Sequence, residues 1–160
     1  MARTILVLED DDRRQAAMRR CLSEQCSGYD HTFFDNAPGT LDWLQEHLSE
    51  VALLCLDHDL GPNRVRDGEP FDPGTGRDVV DYLVTQKPRC PVIIHSTNSP
   101  AAVGMEMALQ ESGWKCSRIT PFNDLGWVGT SWVRMVRKCL GRGRPAPGSN
   151  PALEHPGGTP

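Results

Sequence analysis

Cysteine is present but never paired at short range: Cys21, Cys26, Cys55, Cys90, Cys116 and Cys139 include no C-x-x-C spacing. That removes the usual thiol-metal and redox signatures and points to small buried hydrophobes in a reducing, cytoplasmic setting. No apolar run approaches the ~20 residues needed to cross a bilayer, and the opening "MARTILVLEDD" turns acidic too early for a secretory signal. A soluble protein without a membrane partner is expected. Positive charge is scarce as well: 17 Lys and Arg stand against 21 Asp and Glu, for a net charge of −4. No basic run appears apart from Arg and Lys scattered through 134–144, so no nucleic-acid-coating surface is expected. Aromatics make up 6% of the chain, and Trp43, Trp114, Trp127 and Trp132 lack the regular spacing of a stacking platform, which assigns them to packing.

What is there is a repeating alternation. The 160 residues suffice for one domain with a sizeable core. "TILVL" (4–8) reads as a buried strand, and 13–26 as a helix with Ala17, Met18, Cys21 and Leu22 on one stripe. The pattern recurs as "YDHTFF" (29–34) with a helix at 36–48, "VALLCL" (51–56) with a helix at 76–86, and "CPVIIHS" (90–96) with a helix at 100–113. "KCSRIT" (115–120) and a helix at 130–140 complete five units. Apolar, β-branched strands alternating with helices predict an α/β, doubly wound parallel sheet covered on both faces. The Gly/Pro-rich segment 61–76 reads as a loop, either a lid or a plain surface insertion. Residues 141–160, rich in Gly and Pro, read as a disordered tail after a domain spanning 1–140.

The chemistry gathers at strand ends. Glu9 and Asp10 close the first strand, and "LDHDLG" puts Asp57, His58 and Asp59 at the close of the third. With strand order 2-1-3-4-5 these strands are neighbours, and ligands in such sheets bind beyond the carboxyl ends at the switch point. Carboxylates crowded there repel unless a cation neutralises them, and a hard divalent ion, Mg²⁺ or Mn²⁺, suits oxygen ligands. Asp11 and Asp12 read instead as caps of the first helix.

"ILVLEDD", "LLCLDHDLG", "VIIHSTN" and "TPF" resemble, in order and spacing, the receiver domains of response regulators over residues 3–140. The resemblance implies a (βα)5 flavodoxin-like fold. It also implies Mg²⁺ binding by Glu9, Asp10 and Asp57 with the Asp59 backbone carbonyl, phosphoryl transfer to Asp57, and phosphoryl contacts from Ser96. One departure is Thr120, which stands before Pro-Phe where ordinary receivers carry Lys. An ammonium ~4 Å from a phosphoryl charge gains about 4 kcal/mol at an effective dielectric of ~20, and a hydroxyl recovers only part of that. Arg118 or another cation would have to reach across.

The second departure is a pair of histidines. "DHDLG", Thr75-Gly76, "IHSTN" and a helix with Met105 and Met107 resemble a divergent subgroup, the cyclic-phosphate-processing receiver domains. If Asp57 and Ser96 face the pocket, period-two alternation puts His58 and His95 together on the other side. As neighbours they would supply a general acid and base. Asn98 either donates to a phosphate or caps the fourth helix. Two functions compete. One is a metal-dependent phosphoesterase for a 2′,3′-cyclic phosphate, on RNA or a small cyclic nucleotide, with Asp57, His58 and His95 in catalysis and Ser96, Asn98 and Thr120 on the phosphate. The other is a phosphoacceptor receiver, or a pseudo-receiver that only binds a signalling protein.

Overall fold

The computed structural model describes residues 3–141. The expected tail, Gly141 apart, lies outside the described residues. Five parallel strands form one sheet: β1 (Thr4–Leu8), β2 (Asp30–Phe34), β3 (Val51–Leu56), and two later strands at Val92–His95 and Cys116–Ile119. Counting in chain order past a small hairpin, β4 (Arg64–Arg66) and β5 (Glu69–Phe71), those two are β6 and β7. The order across the sheet is β2-β1-β3-β6-β7, the doubly wound arrangement expected. Helices α1 (Asp12–Gln25), α2 (Ala37–His47), α3 (Gly76–Leu83), α4 (Ser99–Glu111) and α5 (Val133–Cys139) cover it.

Strands β1 and β3 are buried along their whole length because both faces are used. Ile5, Val7, Leu53, Cys55 and Ile93 pack with Met18 and Leu22 of α1 and Val133 and Val136 of α5. Leu6, Leu8, Leu54, Leu56 and Ile94 pack on the other side with residues of α2, α3 and α4. That explains why these strands read as continuous apolar runs rather than as alternation.

Local chemistry fixes the helix starts that frame the site. Asp11 caps α1, its carboxylate accepting from Arg14 N at 2.9 Å. Asn98 caps α4 in the same way, accepting from Ala101 N at 3.2 Å. The final helix starts differently from its expected 130–140 span, for a wide π turn over Val128–Trp132 precedes α5. An i→i+5 turn lets Trp127 and Trp132, five residues apart, both bury against the α1 side.

The segment 61–76 is more ordered than a loop. Its turn, Asp67-Gly68, has positive φ at both residues (52° and 81°), the signature of a two-residue hairpin turn. Arg64 and Arg66 tie the hairpin to Asp35 at the end of β2, at 3.0 and 3.1 Å.

Candidate functional site

The register of the sheet builds the site. Leu8 lies opposite both Phe34 and Leu56, and Leu56 lies opposite Ile94. Backbone pairing runs one residue further, with Glu9 N donating to Phe34 O and Asp57 N donating to Leu8 O. The next row therefore holds Glu9, Asp57 and His95 side by side, just beyond the ends of β1 and β3 and at the last residue of β6. Strand alternation then sends all three toward the face that carries Ile93 and Trp127.

Glu9 and His95 are wholly buried, and Asp57 nearly so. His95 Nε2 lies 3.2 Å from Glu9 Oε2, an ion-pair distance at an angle too poor for a hydrogen bond. The His95 ring also leans on Trp127, with centroids 5.8 Å apart. Each carboxylate commits one oxygen to the backbone: Glu9 Oε1 accepts from Asp11 N at 3.0 Å, and Asp57 Oδ1 accepts from His58 N at 2.7 Å. Their other oxygens, Glu9 Oε2 and Asp57 Oδ2, lie 3.7 and 3.8 Å from the guanidinium of Arg14. Glu9 Oε2 makes no hydrogen bond although it is buried.

The crowding of acids leaves an electrostatic mark. Burial, reinforced by the charge of Glu9 against the pull of His95, raises the Asp57 carboxyl to about 7. Burial and the same neighbour raise Asp10. Glu9 moves the other way: burial works to raise it, but the His95 imidazole prevails and holds it below the usual carboxylate range.

Do these residues fit a divalent ion? Glu9, Asp10 and Asp57 each bring a carboxylate oxygen within 4.8 Å of the others, and one of the donors is buried without a partner. An all-oxygen, polyanionic donor set of this kind suits Mg²⁺ or Mn²⁺. The backbone closes in around it. Gly61 has φ 75°, and a Cβ there would stand 2.9 Å from Asp10 Oδ2.

The remaining expected residues divide. Ser96 is buried, its Oγ accepting from Asn98 N at 3.1 Å. Asn98 acts as a cap, and its Nδ2 stands 3.5 Å from Asp59 Oδ1. The Asp59 side chain stays outside the acidic cluster and accepts from His58 Nδ1 at 2.7 Å. Thr120 is exposed and lines a groove with Arg118, Phe122, Ser131 and Arg134, a groove whose lining does not include Asp57. Arg118 does not reach across either, since it pairs with Glu106 of α4.

One expectation is corrected. His58 and His95 are not neighbours: no hydrogen bond or ring contact joins them among the described residues, and each has a separate carboxylate partner. The physical reason is the register. Asp57, not His58, is level with His95, and β3 has ended by Leu56, so the chain turns at His58 instead of continuing the alternation.

Arg14 was missed. A signal existed in "EDDDRRQ": Arg13 and Arg14 sit in the first turn of α1, where the helix dipole disfavours cations. A cation held against that field calls for a compensating anion.

The profile of the cyclic-phosphate processing receiver domain matches residues 5–111, two thirds of the chain and every residue of the acidic row. The chain belongs to that family. Solved structures agree on the receiver fold. The phosphorylated cyanobacterial phytochrome response regulator RcpA is similar at 15% identity and a TM-score of 0.67, over 89% of this chain and 97% of that one. The Mn²⁺-bound response regulator Rcp1 is similar at 16% identity and a TM-score of 0.60, over 85% and 92% of the two chains. A response-regulator receiver domain from Rhodospirillum rubrum follows at 18% identity and 0.58, over 83% and 89%. No curated protein matches the sequence. Among the described residues, no helix of this receiver is long and apolar enough to cross a membrane.

Proposed function

We infer that this receiver is a divalent-metal-dependent phosphoesterase that opens a cyclic phosphate, on a small cyclic nucleotide or a 2′,3′-cyclic end of RNA. The observation that carries the reading is the convergence of Glu9, Asp10 and Asp57 within 4.8 Å, one residue along the chain from a histidine held by its own carboxylate. Membership of a family described as cyclic-phosphate processing supports the substrate class.

Glu9, Asp10 and Asp57 would hold Mg²⁺ or Mn²⁺, with the Asp59 backbone carbonyl as a further oxygen. When bound, such an ion neutralises the cluster and polarises a phosphoryl oxygen. His58 moves the proton. Its side chain is 17% exposed, and Asp59 accepting at Nδ1 fixes that nitrogen as the donor, leaving Nε2 to exchange a proton with water or with the departing ribose oxygen. A water oxygen attacks phosphorus, one ring P–O bond breaks, and the freed ribose oxygen takes up a proton. Ser96 turns its hydroxyl hydrogen toward a phosphoryl oxygen, and Asn98 holds the turn that places it. His95 has no exposed surface and works through Glu9, holding that carboxylate ionised.

Incubation with Mg²⁺ or Mn²⁺ and a 2′,3′-cyclic nucleotide tests the reading. Ring-opened monophosphate is expected from the wild type. His58→Ala is expected to lose ~10²–10⁴-fold in rate while keeping its metal affinity. No ring opening by the wild type, with an acyl phosphate forming on Asp57 from a small phosphodonor, would replace this function with phosphoacceptor signalling to a partner protein.

A further inference from the structure

The receiver lacks the strand-end ammonium that Thr120 replaces, yet the acidic row is not without a cation. Arg14 reaches it from α1, with 23% of its side chain exposed and its guanidinium 5.6 Å from the Trp127 ring centre. At 3.7 and 3.8 Å from Glu9 Oε2 and Asp57 Oδ2, the nearest guanidinium nitrogen is close enough to feel both charges but too far for a hydrogen bond. No side-chain hydrogen bond from Arg14 is formed among the described residues, so a fork of five N–H donors is uncommitted. Next to it opens a small, mostly polar mouth of about 260 Å³, lined by Asp11, Arg13, Arg14, Thr97 and the turn after β7; there Arg13 is already paired with Asp124 at 2.9 Å and Asp11 caps α1, which leaves Arg14 as the cation with its side-chain donors free. That is at or below the lower end of ordinary ligand pockets, the size for one anionic group rather than for a whole nucleotide.

We propose that Arg14 is the phosphate-holding residue of this site, binding the non-bridging phosphoryl oxygens in the mouth between α1 and the turn after β7 in place of a cation on β7. The proposal rests on the phosphoesterase reading for its substrate, but not for the anion itself. Arginine suits the task because its planar fork can bond two phosphoryl oxygens at once. Its placement also accounts for a cation in the first turn of α1, since the carboxylates of the row offset the unfavourable dipole. The Trp127 face keeps the guanidinium from swinging out to water.

The test titrates inorganic phosphate, and separately 2′,3′-cyclic AMP, into the Mg²⁺-loaded protein, with Mg²⁺ affinity measured first for every variant. Arg14→Gln is expected to weaken phosphate binding tenfold or more with Mg²⁺ affinity unchanged or tighter, since a competing cation has been removed. Arg14→Lys, which keeps the charge but loses the fork, falls between, and Thr120→Lys added to Arg14→Gln restores part of the loss. Equal phosphate binding by wild type and Arg14→Gln overturns the assignment, as does a wild type that takes up Mg²⁺ but no phosphate. If phosphate behaves as stated while 2′,3′-cyclic AMP neither binds nor opens, the phosphoesterase reading fails and Arg14 keeps its role.

Discussion

Replacing Asp57 by Asn probes the charge crowding at the strand ends. In the folded receiver this carboxyl ionises near 7 instead of 3.8, chiefly because it is buried. A carboxyl whose folded pKa stands above its unfolded value holds its proton more tightly when folded. The stability tied to that proton is therefore complete below about pH 4, declines as pH rises, and is lost above about pH 7. The two pKa values lie about 3 apart, and at about 1.4 kcal/mol for each that amounts to roughly 4 kcal/mol over the whole range. Asparagine is nearly isosteric, keeps an oxygen for the His58 N–H, and carries no charge to bury. Urea unfolding with chelator present should thus find the advantage of Asp57→Asn over wild type growing by about 2–3 kcal/mol between pH ~5 and pH ~8.5. Saturating Mg²⁺ should reverse the order at the higher pH, because only the wild type offers the full carboxylate set. A stability difference that stays constant across this pH range would refute the reasoning.

Gly76 opens α3 directly beneath Asp57, and a Cβ there would fall 1.9 Å from the Asp57 carbonyl oxygen, a backbone atom that cannot step aside. Gly76→Ala should cost at least about 2–3 kcal/mol in urea unfolding and weaken Mg²⁺ binding along with it. Removing both arginines that tie the hairpin to Asp35 should cost only about 1 kcal/mol, since both pairs are partly exposed to water, but should open β4–β5 to limited proteolysis.

Much of the fold was legible because periodicity is a local property. Three apolar central strands, two mixed edge strands and the helices between them follow from which residues are apolar and how far apart they stand, and a parallel sheet is the arrangement that buries both faces of the central strands. The acidic residues at the ends of β1 and β3 were readable for the same reason, since a short strand shows where it stops. The hairpin was legible too, in Asp-Gly between "RVR" and "EPF", but the surrounding Gly and Pro drew the reading toward a loop.

What the order of amino acids determined by itself was therefore the class of fold, the ends of the strands and the carboxylates set there. What only the tertiary structure decided was which residues stand level with one another. Register depends on how neighbouring strands slide, and a slip of one residue moves a side chain to the other face. That is why His95 meets Glu9 and Asp57 instead of His58. Arg14 stands near Glu9 on the same short stretch of chain, but its meeting with Asp57, which belongs to another strand, is created by packing alone.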